Sequence, residues 1–302
     1  MRALVVGYGS IGVRHTRVLQ KLGCDTAVLS NRDVDVHQAY KRLDEALTSH
    51  MPHYVVIANQ TNKHYDTLLE LAAAGFSGRV LVEKPIFESP KLTHDWDFKQ
   101  IAVAYNLRFH PLIRKLRSFG DEKPVISVNI YVGQYLPSWR PSADYRRSYS
   151  ASASQGGVLR DLSHELDYLQ WIFGDWERMA CLGGKFSDLE INSEDLFVLL
   201  MQTSRCQALT IQMSYLDRQA VRRIIVNTSS QTIELDLLKG TLSVDGKRET
   251  FSVARDDTYI EMHRNYISGD ANDLCSLNDA IQTLELIEAA GSANRSRRWV
   301  TQ

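Results

Sequence analysis

The sequence predicts an α/β protein in two parts: a doubly wound parallel sheet over 1–121, then an α+β domain with an open, mostly antiparallel sheet over 122–302. Three observations carry this. An apolar run at the start ends in Gly7-x-Gly9-x-x-Gly12 and passes directly into a helical pattern. Strand and helix patterns then alternate through the first part. From Lys123 onward strands follow one another without helices between them, which is the pattern of antiparallel pairing. The length of 302 residues suits two cores. Charge argues against nucleic acid or an acidic membrane surface as partner, because the net charge is −1 and no basic tail exists. Cys24, Cys181, Cys206 and Cys275 are scattered, so neither a disulfide framework nor a metal site is expected, and a reducing compartment fits. No apolar run reaches membrane-spanning length and the N-terminus enters a strand at once, so the expected location is cytoplasmic.

The glycine turn is of the dinucleotide-binding, or Rossmann, kind. Gly7 permits a tight turn, Gly9 lets a pyrophosphate approach the backbone, and Gly12 lets helix pack on strand. Ser10 and Ile11 open that helix, whose free N–H groups and dipole favour phosphate. The helix over 13–22 stops at Gly23, and a strand over 24–29 delivers Ser30-Asn31-Arg32. An NAD-binding protein commonly has Asp or Glu there for the ribose 2′-hydroxyl. Ser30 with Arg32 suits a 2′-phosphate better, so NADP(H) is favoured, with NAD(H) the alternative through Asp33 or Asp35.

A strand over 54–58 ends at Ala58 and opens into the polar loop Asn59-Gln60-Thr61-Asn62-Lys63-His64, in the position where such sheets bind ligands. His64 reads as a cap or cofactor-loop residue of the helix over 65–74. The strand over 79–82 delivers Glu83-Lys84-Pro85, and proline keeps Lys84 extended at the sheet's carboxyl edge. Lys84 there can transfer a proton or hold a substrate hydroxyl, while an isolated strand-end lysine can equally be a plain surface charge. A strand over 101–105 places Asn106 and Arg108 at the same edge, beside the expected nicotinamide, and a helix over 112–119 is expected to stop at Gly120.

In the second part, strands are expected over 125–132, 196–202, 207–213, 222–228 and 231–237, with a final core helix over 277–290. Leu162, Leu166, Leu169 and Phe173 form one apolar stripe of a helix. Asp161, His164 and Tyr168 share a flank at i, i+3 and i+7, where a histidine beside a carboxylate can act as general acid/base, or Asp161 can simply cap the helix. The loop over 135–149 carries Trp139, Arg140, Tyr145, Arg146 and Arg147, a set that suits an anionic ligand with a flat face or a subunit contact.

The glycine turn, His64, Glu83-Lys84-Pro85 and Tyr105-Asn106-Leu107-Arg108-Phe109 together resemble the Gfo/Idh/MocA oxidoreductases. The resemblance continues in Gly156, Gly157, Asp161, His164 and Asp167, with three positions from Asp161 to His164 where many members have four. It implies a homo-oligomer, dimer or tetramer, through the second sheet, and His164 in proton transfer with Asp161 nearby. It also implies a subgroup associated with bacterial surface-polysaccharide and acidic-sugar pathways. The expected function is thus hydride transfer between nicotinamide and a carbinol or carbonyl carbon of a sugar or nucleotide-linked sugar. Lys84, His164 and Asp161 would be catalytic, and Lys84, Arg108, Trp139, Arg140, Tyr145, Arg146, Asp161 and His164 would contact substrate. Alternatives are a reductase of a non-sugar carbonyl or conjugated substrate and a non-catalytic NAD(P)-binding sensor or scaffold.

Overall fold

A computed structural model describes residues 1–90, 96–122, 124–141 and 143–302; Lys123, where the sequence pattern changes, and Ser142 of the long loop lie outside the described residues. The chain opens with β1 (Arg2–Val6), α1 (Ser10–Lys21), β2 (Asp25–Leu29), β3 (Ala39–Tyr40), α2 (Leu43–His50) and β4 (Tyr54–Ile57). It continues with α3 (His64–Ala73), β5 (Arg79–Val82), β6 (Gln100–Val103), α4 (Pro111–Glu122), β7 (Val125–Gly133), α5 (Val158–Asp161) and α6 (Ser163–Phe173). A run of strands follows: β8 (Trp176–Gly184), β9 (Leu196–Thr203), β10 (Cys206–Ser214), β11 (Val221–Thr228), β12 (Thr232–Asp236), β13 (Thr241–Val244) and β14 (Lys247–Thr250). The chain ends with α7 (Asp257–Ser268), β15 (Cys275–Ser276), α8 (Leu277–Ser296) and β16 (Val300–Thr301).

Two compact units result, one of 1–109 with 254–284 and one of 110–253 with 285–302. The first holds a sheet in the order β15-β6-β5-β4-β1-β2-β3. Its pairs are parallel except β15 with β6. Leu4, Val5, Val55, Val56, Val80 and Leu81 are fully buried, as strands covered on both faces require. The later segment 254–284 contributes Tyr259, Met262 and Tyr266 to the same core. The Tyr266 hydroxyl reaches the carbonyls of Val80 (2.6 Å) and Gln100 (2.9 Å), tying α7 to β5 and β6.

The second unit holds a sheet in the order β14-β13-β12-β11-β7-β10-β9-β8-β16. Its pairs are antiparallel except β10 with β7, so the sheet is mostly antiparallel as the sequence pattern implies. Alternation of side chains puts Leu199, Met201, Leu209, Ile211, Val128, Ile130, Ile224 and Val226 in the core. On the other face Leu182, Leu200 and Ile225 are exposed. Leu166, Leu169 and Phe173 of α6 are buried, so the expected apolar stripe is the packing face. The expected stop at Gly120 does not occur, since α4 runs on to Glu122. Gly120 instead allows close packing, because a Cβ there would stand 3.4 Å from Ile172 Cγ2.

His110 begins α4 in place of a conventional cap: its Nδ1 accepts the Leu112 N–H at 3.2 Å, and the ring also bonds the Leu237 carbonyl. Burial, and then the positive charge of Arg222, push its pKa down to about 4. A histidine neutral in the fold and of ordinary pKa when unfolded contributes stability that is complete above pH ~6.5. That stability is lost as pH falls toward the folded value, about 3 kcal/mol in all. Denaturant melts between pH 7 and 4 are expected to show this decline, and His110→Gln to flatten it. His64 and His263, which burial also shifts down, contribute to the residual slope. An unchanged slope in His110→Gln contradicts the assignment.

Candidate functional site

In the first unit the glycine turn is shaped by close backbone approach. Gly7 has φ +95°, and a Cβ on it would lie 2.7 Å from the Asn59 backbone. A Cβ on Gly12 would lie 2.0 Å from the Gly7 carbonyl oxygen. Gly9 differs, with open space wherever its Cβ would project. α1 starts at Ser10 with no side-chain cap and no acidic residue in its first turn, which leaves the leading N–H groups, with those of Ser10 and Ile11 among them, to a phosphate. Asn59 donates from Nδ2 to Thr67 Oγ1 at 2.9 Å, while its Oδ1 is buried without a partner. Gln60 is exposed beside it, and Ala58 is pinned by its N–H to the Val6 carbonyl at 2.8 Å. An open cradle, an uncapped helix start and a buried acceptor lacking a donor fit a dinucleotide.

At the end of β2, Ser30 is buried and its Oγ accepts the Arg32 N–H at 3.1 Å, while Asn31 and Arg32 are exposed. Lys41 is one residue that sequence reasoning missed. Its Nζ donates to the carbonyls of Arg32 (2.8 Å) and Asn31 (3.3 Å) and to Asp33 Oδ1 (2.9 Å). β3 pairs parallel with β2 and so returns Lys41 to the strand end, a register no local motif announces. Asp33 is held by that ammonium, which lowers its pKa.

Lys84 is half-buried just beyond β5, ahead of a cis peptide to Pro85. Its N–H donates to Glu83 Oε2 at 3.1 Å, and Glu83 Oε1 lies 2.8 Å from His15 Nε2. His64 opens α3 and is buried, its ring nitrogens 3.1 Å from the Ile86 carbonyl and 3.3 Å from that of Asn59. It therefore braces the loops after β4 and β5 against each other. Asn106 and Arg108 are buried in a 3₁₀ turn, Asn106–Phe109. Asn106 Nδ2 donates to Thr258 Oγ1 at 2.7 Å, and Arg108 Nη1 to the Leu274 carbonyl (3.2 Å) and Asp279 Oδ2 (2.9 Å). These bonds tie the turn to segment 254–284.

In the second unit Asp161 ends α5 and His164 lies in the first turn of α6. The expected single helix breaks at Leu162 (φ −97°, ψ 25°), which resets the helical phase. Tyr168 consequently does not share a flank with Asp161: it is fully buried, with its hydroxyl 3.5 Å from Glu165 Oε1. Asp161 is met instead by Tyr215, whose hydroxyl donates to Oδ2 at 2.7 Å. Burial, and then the Asp161 charge, drive the Tyr215 pKa far up, so this phenol stays protonated. Trp139 meets the Tyr215 ring edge-on, with centroids 5.3 Å apart. The fold thus brings Trp139 and Asp161 together through a residue 54 positions beyond Asp161. Glu194 is a second residue sequence reasoning missed: it lies over bare Gly157, where a Cβ would stand 2.2 Å from its Oε1. Burial raises its pKa above the usual carboxylate range.

Elsewhere in the loop, Arg146 is engaged by Asp144 (2.8 and 3.0 Å) and Glu190 (3.2 Å). The Tyr145 hydroxyl accepts the Glu190 N–H at 3.3 Å, and Arg140 faces the Tyr149 ring at 5.7 Å. Among the described residues no group of three His, Cys, Asp or Glu could hold a metal ion, and no helix is long and apolar enough to cross a membrane.

Residues 1–97 match the model of the Gfo/Idh/MocA oxidoreductase family's NAD-binding Rossmann fold, and residues 125–301 that of its C-terminal alpha/beta domain. No curated protein sequence matches the chain. Among solved structures it is similar to GenD2 from gentamicin A biosynthesis in complex with NAD, at 20% identity over 100% of this chain and 96% of that one, TM-score 0.79. It is similar to the WlbA dehydrogenase from Bordetella pertussis in complex with NADH and UDP-GlcNAcA, at 18% identity over 100% and 98%, TM-score 0.78. It is also similar to UDP-N-acetylglucosamine 3-dehydrogenase GnnA from Acidithiobacillus ferrooxidans, at 17% identity over 98% of both chains, TM-score 0.78.

The glycine geometry makes its own prediction. Gly12→Ala places a methyl group on the Gly7 carbonyl, so the chain must shift at a cost of about 1–3 kcal/mol in stability. Gly9→Ala meets open space and is expected to leave melting unchanged while weakening NADH or NADPH binding in a fluorescence titration. A Gly9→Ala protein that binds both as tightly as wild type removes Gly9 from the cradle.

Proposed function

The chain belongs to the Gfo/Idh/MocA family of oxidoreductases, and we propose that it acts on a sugar or nucleotide-linked sugar, at a carbinol or carbonyl carbon. The observation that carries the substrate class is the arrangement of Trp139, Tyr215 and Asp161. A carboxylate fixed by a buried phenol accepts hydrogen bonds from hydroxyl groups in a set direction, and a half-buried indole beside it offers a flat apolar face to a sugar ring. Two structural neighbours bear names or ligands of the UDP-sugar class, which supports the same reading; the place in surface-polysaccharide assembly rests on the sequence resemblance alone.

The nicotinamide, when bound, supplies the hydride chemistry. The chain's own residues handle the proton. His164 exchanges it with the reacting hydroxyl, and Lys84 polarises the same oxygen or relays to it. Arg140 and Tyr145 hold the anionic part of the substrate, with Arg146 contributing once it releases Asp144 or Glu190. Arg108 serves the fold of the cofactor edge through Asp279 and Leu274. Ser30 and Arg32, together with Lys41, favour the 2′-phosphate of NADP(H), since Asp33 is already paired with Lys41. The exposed Leu182, Leu200 and Ile225 make the outer face of the second sheet the contact of a homo-oligomer.

Turnover of NADP⁺ or NADPH against a panel of sugars and nucleotide sugars tests the substrate class. On the substrate so found, His164→Ala and Lys84→Ala are each expected to slow turnover on the order of 10²–10⁴-fold. Near-wild-type rates in both variants would end this mechanism. NADPH is expected to bind more tightly than NADH, and Arg32→Ala to abolish the difference; equal affinities in the unmutated protein rule out the 2′-phosphate site.

A further inference from the structure

We infer that His15 and His263 are positioning residues for Lys84: with Tyr54 they form a buried, one-way hydrogen-bond relay that ends on the Glu83 carboxylate and through it fixes the Lys84 backbone. The inference rests on the reading of Lys84 as a proton-handling residue. Its geometry stands within the first unit. Tyr54 OH lies 2.8 Å from His263 Nδ1, His263 Nε2 lies 2.7 Å from His15 Nδ1, and His15 Nε2 lies 2.8 Å from Glu83 Oε1. The other carboxylate oxygen, Oε2, accepts the Lys84 N–H at 3.1 Å. Tyr54, His15 and His263 are fully buried and Glu83 is 8% exposed, so water does not compete for these bonds.

Proton counting sets the direction. Three gaps separate the four groups, and a neutral phenol with two neutral imidazoles carries one proton for each gap. All three bonds then point toward Glu83, which accepts as a carboxylate. Both imidazoles are Nε2–H tautomers in this arrangement. A further proton on His15 would put Nδ1–H against His263 Nε2, force the His263 proton onto Nδ1, and turn the Tyr54 hydroxyl away from its partner. The neutral relay is therefore the state that satisfies every donor and acceptor in a place where an unmade bond is expensive. Burial, and then the neighbouring His15, lower the pKa of His263, in keeping with a neutral ring.

Neither histidine touches the reacting atoms in this scheme. Each link comes from a different element: His15 from α1, one turn beyond Gly12; Tyr54 from β4; His263 from α7; and Glu83 from the end of β5. The relay thereby fixes Lys84 relative to the helix whose N-terminus faces the phosphates. A carboxylate at Glu83 without the His15 proton would be a buried charge with half its support removed, and the Lys84 N–H would lose a fixed acceptor.

Two measurements on the full chain, neither requiring a substrate, decide the matter. In protein labelled with ¹⁵N-histidine, long-range ¹H–¹⁵N spectra at pH 7 are expected to show His15 and His263 as neutral Nε2–H tautomers. An imidazolium or an Nδ1–H tautomer at either residue overturns the relay. Hydrogen exchange at the Lys84 amide is expected to accelerate by at least about tenfold in His15→Phe, which keeps bulk and removes the donor. It is expected to return toward the wild-type rate in His15→Gln, whose side-chain amide can donate to Glu83. The amides of β1 and β4 should stay protected in both variants. Unchanged Lys84 exchange in a folded His15→Phe protein refutes the positioning role; should that variant fail to fold, the tautomers of the unmutated chain still decide. Turnover by Lys84→Ala tests the role of Lys84 separately, so the failure of one is not the failure of the other.

Discussion

The first unit depends on a backbone approach too close for any side chain. The end of β1, the start of α1 and the loop after β4 meet at Gly7, Gly12 and Asn59, where a Cβ would fall 2.0–2.7 Å from main-chain atoms. Such contact is available only to glycine, and it sets where α1 begins. Because α1 begins there, its unpaired N–H groups face outward at Gly9, the one glycine of the three with space in front of it. The parallel order of the strands does the rest. It lines up the ends of β2, β4, β5 and β6 along one edge, so Ser30, Asn59, Lys84 and Asn106 share that edge without any being sequence neighbours.

Polar groups buried behind that edge are costly unless paired, and the fold pairs them across long sequence distances. His15 and Glu83 are 68 positions apart, and Arg108 and Asp279 are 171 apart. Both pairings couple local turns to distant elements. Arg108 holds 274–279 against the turn after β6, while His263 of α7 reaches His15 and Tyr54. Segment 254–284 therefore completes the first unit chemically as well as by apolar packing.

This division explains what was legible in the sequence. Motifs of short range, such as the glycine turn, the strand ends and the Glu83-Lys84-Pro85 step, carry their geometry in adjacent residues and were read directly. The mostly antiparallel second sheet was legible because strands recur without helices between them. Lys41, Tyr215 and the return of 254–284 were not legible, since each depends on pairing between elements far apart. Periodicity also misled where the helix changes direction. Asp161, His164 and Tyr168 fit one helical flank on paper, yet the break at Leu162 sends Tyr168 into the core and leaves Asp161 to Tyr215. Gly120 misled for a related reason: a glycine that ends a helix and a glycine that admits a neighbouring helix look alike until Ile172 is in place.

The same distinction bears on how a substrate would be chosen. Surface arginines were the evident signal in the loop over 135–149, but Arg146 is already matched by Asp144 and Glu190, and exposed ion pairs are weak discriminators. Asp161 is different. It is buried and oriented by a phenol that remains protonated and whose ring stands perpendicular to that of Trp139. On the proposed reading, a buried carboxylate held in one direction discriminates among hydroxyl positions more sharply than an exposed ion pair does. If the substrate meets Asp161 as proposed, selectivity resides in the Asp161–Tyr215 pair, and the arginines of the loop add attraction for charge more than choice among ligands.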